Sequence, residues 1–128
     1  MDVLALRVLC GDVVIWRADP SVPVDFAAIS GVLVSVSRTA AELSGVCDAS
    51  SVPELATRVE GGWAVLEVVG PLDFSLTGVL ASITRPLAGA GVTIFAVSTF
   101  DTDYVLVRSE ALRVAVAALR EAGHDVDG

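Results

Sequence analysis

The sequence predicts an α+β fold of two tandem ferredoxin-like lobes, each an antiparallel sheet with helices on one face, the first lobe degenerate. Three observations predict it. From Trp63 onward, strand and helix patterns alternate in the order β-α-β-β-α-β. An alternating hairpin from Val32 to Cys47 is echoed between Val92 and Val107. Between the two halves stands Gly61-Gly62, which sets the expected lobes at residues 1–61 and 62–128.

The first lobe is read as follows. Leu4 to Leu9 and Val13 to Trp16 are aliphatic and β-branched runs around Cys10-Gly11-Asp12, and Gly-Asp between two such runs predicts a tight hairpin turn. DPSVPVDFAAIS, residues 19–30, carries two prolines that break regular structure. Val32 to Ser37 alternates as a strand, with Leu43 to Cys47 as its partner. A short helix is expected around Pro53 to Val59, since proline is tolerated in a first helical turn.

The second lobe is patterned more clearly. Trp63 to Val69 is a nearly unbroken apolar run, the mark of a strand buried on both faces, and Gly70-Pro71 stops it. Leu76, Val79, Leu80, Ile83 and Leu87 then fall on one helical face, which Gly89 and Gly91 close. Val92 to Thr99 and Tyr104 to Arg108 form the next hairpin. Ser109 is a candidate N-cap for a helix whose apolar face is Leu112, Ala115, Val116 and Leu119, with Gly123 as its stop. HDVDG follows as a short edge strand.

Laid over one another, the two hairpins put Ser37 on Ser98, Glu42 on Asp103 and Val46 on Val107, each acid five residues after its serine. That alignment makes Glu42 the first-lobe counterpart of Asp103 and the mark of a second site or of its relic.

Composition bounds the function. Apolar residues make up 54% of 128 and aromatics only 5%, with a mean hydropathy of +0.73. So aliphatic a chain predicts that part of its surface is covered by a second copy, hence a homodimer. No apolar run approaches the roughly 18 residues that span a bilayer, and the N-terminus lacks a basic leader, so the expected location is cytoplasmic. Eight basic residues against sixteen acidic ones give a net charge of −8, which argues against nucleic acid and anionic membranes as partners. Cys10 and Cys47 lack any metal or redox spacing and are expected to be free, largely buried thiols.

Catalysis is not expected. The single histidine, His124, lies near the C-terminal end and reads as exposed and inert. No serine or cysteine therefore has a base in reach, and no zinc ligand set, P-loop or GxGxxG is present. No cofactor is implied. Trp16 and Trp63 read as core anchors, and Arg85 and Arg108 as solvated.

GPLDFSLTGVLASITRPLAGAGVTIFAVSTFDTDYVLV, residues 70–107, resembles the ACT domain, in the branch of the CASTOR arginine sensor and the aspartate-kinase regulatory regions. SRTAAELSGVC followed by GGWAVLEVVG is similar to small stand-alone bacterial members with two tandem ACT-like lobes. The resemblance implies a regulatory sensor that binds an amino acid or similar small molecule at a lobe interface. It places the ligand against Asp73, Leu76, Thr77, Gly78 and Val79 at the helix start, and against Ser98, Thr99, Phe100 and Asp103 in the hairpin.

Five of these residues have two readings. Gly78 brings helix N–H groups close to a ligand carboxylate, or it serves close helix–sheet packing. Asp103 pairs with a ligand ammonium, or it bonds nearby backbone in a turn. Ser98 and Thr99 bond ligand or cross-strand neighbours, and Asp73 is a ligand residue or a cap. The alternative function is an oligomerisation module that keeps the fold and has lost the ligand.

Overall fold

The structure, a computed structural model, describes residues 3–73 and 77–128. The chain divides into two compact units, Cys10–Trp63 on the one hand and Met1–Leu9 with Ala64–Gly128 on the other. The divisions fall within strands β1 (Ala5–Ala18) and β4 (Arg58–Val68), the second of which contains Gly61-Gly62.

In the unit containing the C-terminal half, β4 is followed by α1 (Val79–Gly89), β5 (Ile94–Ser98), β6 (Asp103–Arg108), α2 (Leu112–Glu121) and β7 (Asp125–Asp127). This is the expected β-α-β-β-α-β order. The strands lie in the order β7-β1-β4-β6-β5, so the N-terminal strand is inserted between β7 and β4. Val69 N–H donates to the Ala5 carbonyl, and Arg7 faces Glu67, which makes β1 antiparallel to β4. The inserted strand pairs in parallel with β7, so the sheet is not wholly antiparallel as predicted.

One sheet face and both helices enclose the core. Leu66, Val68, Val105 and Val107 from the strands meet Ile83 and Leu87 of α1 and Ala115 and Leu119 of α2. Leu80, Leu112 and Val116 pack at its margin, so the helical faces are those that the periodicity predicts. Burial of β4 on both faces also holds, since Val65 and Leu66 are both fully buried.

Both helices end alike. Gly91 N–H donates to Ala88 O and Val92 N–H to Leu87 O; Gly123 N–H donates to Arg120 O and His124 N–H to Leu119 O. Gly91 and Gly123 have φ of +75° and +99°, the left-handed turn that glycine adopts without strain. This motif carries the residue after the glycine back onto the helix. His124 is accordingly buried, correcting the expectation of an exposed, inert side chain. Its Nδ1 accepts from Leu4 N–H at 3.2 Å, and its Nε2 lies 3.0 Å from the Ser82 carbonyl. With Nδ1 accepting, the proton resides on Nε2.

The start of α2 differs from the reading. Ser109 opens a 3₁₀ turn, Ser109–Ala111, and α2 begins only at Leu112 with no side-chain cap.

In the unit Cys10–Trp63, the strands take the order β2-β3-β1-β4, with β2 at Ser35–Arg38 and β3 at Leu43–Asp48. The predicted Cys10-Gly11-Asp12 hairpin is absent, because β1 runs straight through it. A two-residue primed turn needs positive φ in its centre, and Gly11 is not among the positive-φ glycines. The expected helix at Pro53 to Val59 is also absent. A 3₁₀ turn at Ala49–Ser51, capped by the Asp48 carboxylate, precedes it, and Thr57 N–H is drawn into the sheet by the Arg17 carbonyl at 2.8 Å. The core here is Trp16 with Val14, Ile29, Leu43 and Cys47. Cys47 is buried but Cys10 is exposed, which corrects the expectation of two largely buried thiols.

The hairpin registers correct the repeat alignment. Arg38 pairs with Leu43 as Ser98 pairs with Asp103, and Ser35 pairs with Val46 as Phe95 pairs with Leu106. Thr39 N–H bonds Glu42 O as Thr99 N–H bonds Thr102 O. The structural offset is therefore 60 residues (39 to 99, 42 to 102), not the 61 of the serine alignment. One residue of slip exchanges the faces of a strand. Thus Leu43, 1% exposed, stands where Asp103 stands in the other unit, and Glu42 corresponds to Thr102.

Candidate functional site

The β5–β6 hairpin closes on Ser98 and Asp103, the last pair of its ladder. Ser98 Oγ donates to Asp103 Oδ1 at 2.5 Å. Inside that pair, Thr99 N–H and Oγ1 both donate to the Thr102 carbonyl, at 2.8 and 3.1 Å. Two further bonds fix the turn against the end of β4. Thr102 Oγ1 donates to Val68 O at 2.5 Å, and Leu72 N–H donates to Asp101 O at 2.7 Å. These bonds hold the turn in place, and Phe100 at its tip is 78% exposed.

Between this turn and the start of α1 lies a cleft of about 200 Å³. Of the residues that the sequence singles out, Asp73, Val79, Ser98, Thr99, Phe100 and Asp103 line it. Thr77 and Gly78 do not; Gly78 is the N-cap of α1, with φ +77° in the left-handed region, and its carbonyl accepts from Ser82 N–H. Leu76 lies outside the described residues. Leu72, Asp101 and Thr102 also line the cleft and were not singled out. The signal for Thr102 was available, because threonines three apart, Thr99 and Thr102, bracket the turn as Thr39 and Glu42 do in the other hairpin.

The cleft has an apolar floor, Leu72 and Val79, and a rim with three carboxylates, Asp73, Asp101 and Asp103. No lysine, arginine or histidine is among its described lining residues. Such a rim accepts donors, an ammonium above all. Among the described residues no group of acids, cysteines and histidine is arranged to hold a metal. The β2–β3 hairpin of the other unit is built otherwise. Arg38, in the place of Ser98, donates through its guanidinium to the carbonyls of Pro20 and Val22. Glu42 is 3.9 Å from Arg17 Nη1 at an exposed position.

The β-α-β-β-α-β order, with β1 inserted as a fifth strand, is a ferredoxin-like arrangement. The ACT domain profile matches residues 58–121, half of the chain, and the chain belongs to that family. The crystal structure of the Agobacterium tumefaciens protein Atu0741 is 38% identical, with a TM-score of 0.88 over 98% of this chain and 93% of that one. The regulatory subunit of aspartate kinase from Thermus thermophilus, solved without ligand, has a TM-score of 0.68 at 14% identity, over 92% and 96% of the two chains. A Vibrio cholerae protein of unknown function, VC0802, has a TM-score of 0.71 at 17% identity, over 93% and 89%. The last two similarities establish the fold. No helix of the described residues is long and apolar enough to cross a membrane.

Proposed function

We propose that this chain is a non-catalytic regulatory sensor that binds an amino acid or similar small molecule in the cleft between the Ser98–Asp103 turn and the start of α1. The observation that carries the reading is the convergence of Asp73, Val79, Ser98 and Asp103 on one cleft. Asp103 receives the ligand ammonium, Ser98 and Thr99 supply hydrogen bonds, and Phe100 covers the apolar part. Thr77 and Gly78 form the approach from the helix start. A carboxylate has four lone-pair sites, so the Ser98 bond leaves Asp103 room for a ligand.

The reading extends to organisation. The two units are tandem ACT-like lobes, with the shared hairpin register at a 60-residue offset in support. The first has lost its helices, and Leu43 in place of Asp103 leaves it without a ligand carboxylate. The chain works as a cytoplasmic homodimer that covers part of its aliphatic surface. A second reading, an oligomerisation module without ligand, is favoured by one observation, the internal satisfaction of Asp103 by Ser98.

A thermal-shift panel of amino acids, with small metabolites as controls, separates the two. A ligand at a hundred times its Kd adds about 2.7 kcal/mol and raises the Tm by several degrees. A flat panel favours the oligomerisation reading.

A further inference from the structure

On the other side of the 99–103 turn lies a second cleft, of about 290 Å³, which the function proposed above does not use. Its wall is a polar row across three neighbouring strands. Arg7 of β1, Glu67 of β4 and Tyr104 of β6 alternate with the core residues Leu6, Leu66 and Val105, and so occupy the sheet face away from the helices. Arg7 Nη1 is 3.5 Å from Glu67 Oε1, and Tyr104 OH donates to Glu67 Oε2 at 3.1 Å. Val69 and Pro71 add an apolar side, and Asp101 stands at the turn.

We propose that this cleft binds a small zwitterion, its carboxylate on Arg7 and its ammonium on Asp101. The charges decide the class. A simple anion drawn to Arg7 would also face Glu67 and Asp101, and a simple cation would face Arg7; a molecule with both charges satisfies each end. Arg7 is suited to the exchange. Its side chain is 53% exposed, while that of Glu67 is 21% exposed, and a guanidinium has five donors of which Glu67 engages one corner. When Arg7 turns towards a ligand carboxylate, Glu67 keeps the Tyr104 hydroxyl and is not left unpartnered. Burial, and then Glu67 itself, raise the Tyr104 pKa, so the phenol stays a donor.

The test is an NMR titration of the full chain, following backbone amides, with glycine as the minimal zwitterion and acetate and methylammonium as one-ended controls. Glycine is expected to move the Glu67, Val69 and Tyr104 resonances saturably, and each control to bind at least roughly tenfold more weakly. Arg7→Gln and Asp101→Asn should each weaken that response by roughly tenfold or more. Arg7→Gln should leave any response at Val79 and Ser98 unchanged, which separates this cleft from the first. No saturable shift with glycine, an equal response to acetate, or an undiminished response in Arg7→Gln would overturn the proposal. Movement of Val79 and Ser98 alone would overturn it too, while leaving the first cleft standing.

Discussion

His124 donates its Nε2 proton to the Ser82 carbonyl, an acceptor that the helix itself cannot use. In α1 the N–H that would bond Ser82 O belongs to residue 86, four positions on, and residue 86 is proline. The imidazole supplies the missing donor and, through Nδ1, also takes the Leu4 N–H of the first strand. Thus the one histidine of the chain ties α1, β1 and the end of α2 into a single core.

His124→Ala should therefore destabilise the protein by about 1–3 kcal/mol, the cost of stranding two partly buried backbone groups. The check is a double-mutant cycle in urea. In a Pro86→Ala background Ser82 O regains its helical donor, and the penalty of His124→Ala should shrink.

Trp16 pairs across the ladder with Gly45, and its indole lies flat over that glycine. A Cβ at position 45 would come within 2.2 Å of the ring. Gly45→Ala should cost about 1–3 kcal/mol by displacing the largest buried side chain of its unit. Chemical denaturation followed by tryptophan fluorescence reads both the loss of stability and the movement of the ring.

The two thiols should react unequally. Cys10 is exposed, whereas burial raises the pKa of Cys47 and withholds its thiolate. Mass spectrometry after brief alkylation of the folded protein at pH 8 should show one adduct, at Cys10. Denaturant should add the second.

Tyr104 is the only tyrosine, so an ultraviolet pH titration reads it alone. Burial first, and the neighbouring Glu67 carboxylate next, raise its pKa above the usual 10.0. The folded state holds the proton more tightly than the unfolded one. The resulting stability is fully present below pH 10 and is lost as pH rises through the folded value. Glu67→Gln should bring the phenol titration back towards 10.0, because it removes the charge.

The sequence makes the second half legible because its elements obey local rules. One-faced periodicity marks α1 and α2, an apolar run marks β4, and glycines end both helices where expected. His124, expected to be exposed, is buried and directly follows Gly123. The residue after a left-handed glycine folds back onto its helix, so its burial was foreseeable from that placement. The first half is less legible because tertiary pairing decides it. Nothing local distinguishes a Gly-Asp turn from a Gly-Asp within a long strand, and β1 becomes one strand through its partners β3 and β7. Matching serines and acids sets the two hairpins one residue out of their structural correspondence. Hydrogen-bonded threonine turns would have matched Thr39 with Thr99 and set Leu43, not Glu42, against Asp103. At the site, Ser98, Thr99, Phe100 and Asp103 line one cleft with Asp73 and Val79, whereas Thr77 and Gly78 do not line it. The contributions of Leu72 and Thr102 come from bonds to the end of β4 and to the turn, which no local pattern records.

The central claim is that the cleft at Ser98–Asp103 binds an amino acid through Asp103. Calorimetric titration of the amino acid selected by the thermal-shift panel, into the wild-type chain and into Asp103→Ala, tests it most directly. The account predicts saturable binding to the wild type and at least a tenfold loss in Asp103→Ala, with an unchanged circular dichroism spectrum, since Asp103 lies at the exposed end of its ladder. Equal affinity for the two proteins, or no binding by any amino acid, would contradict it.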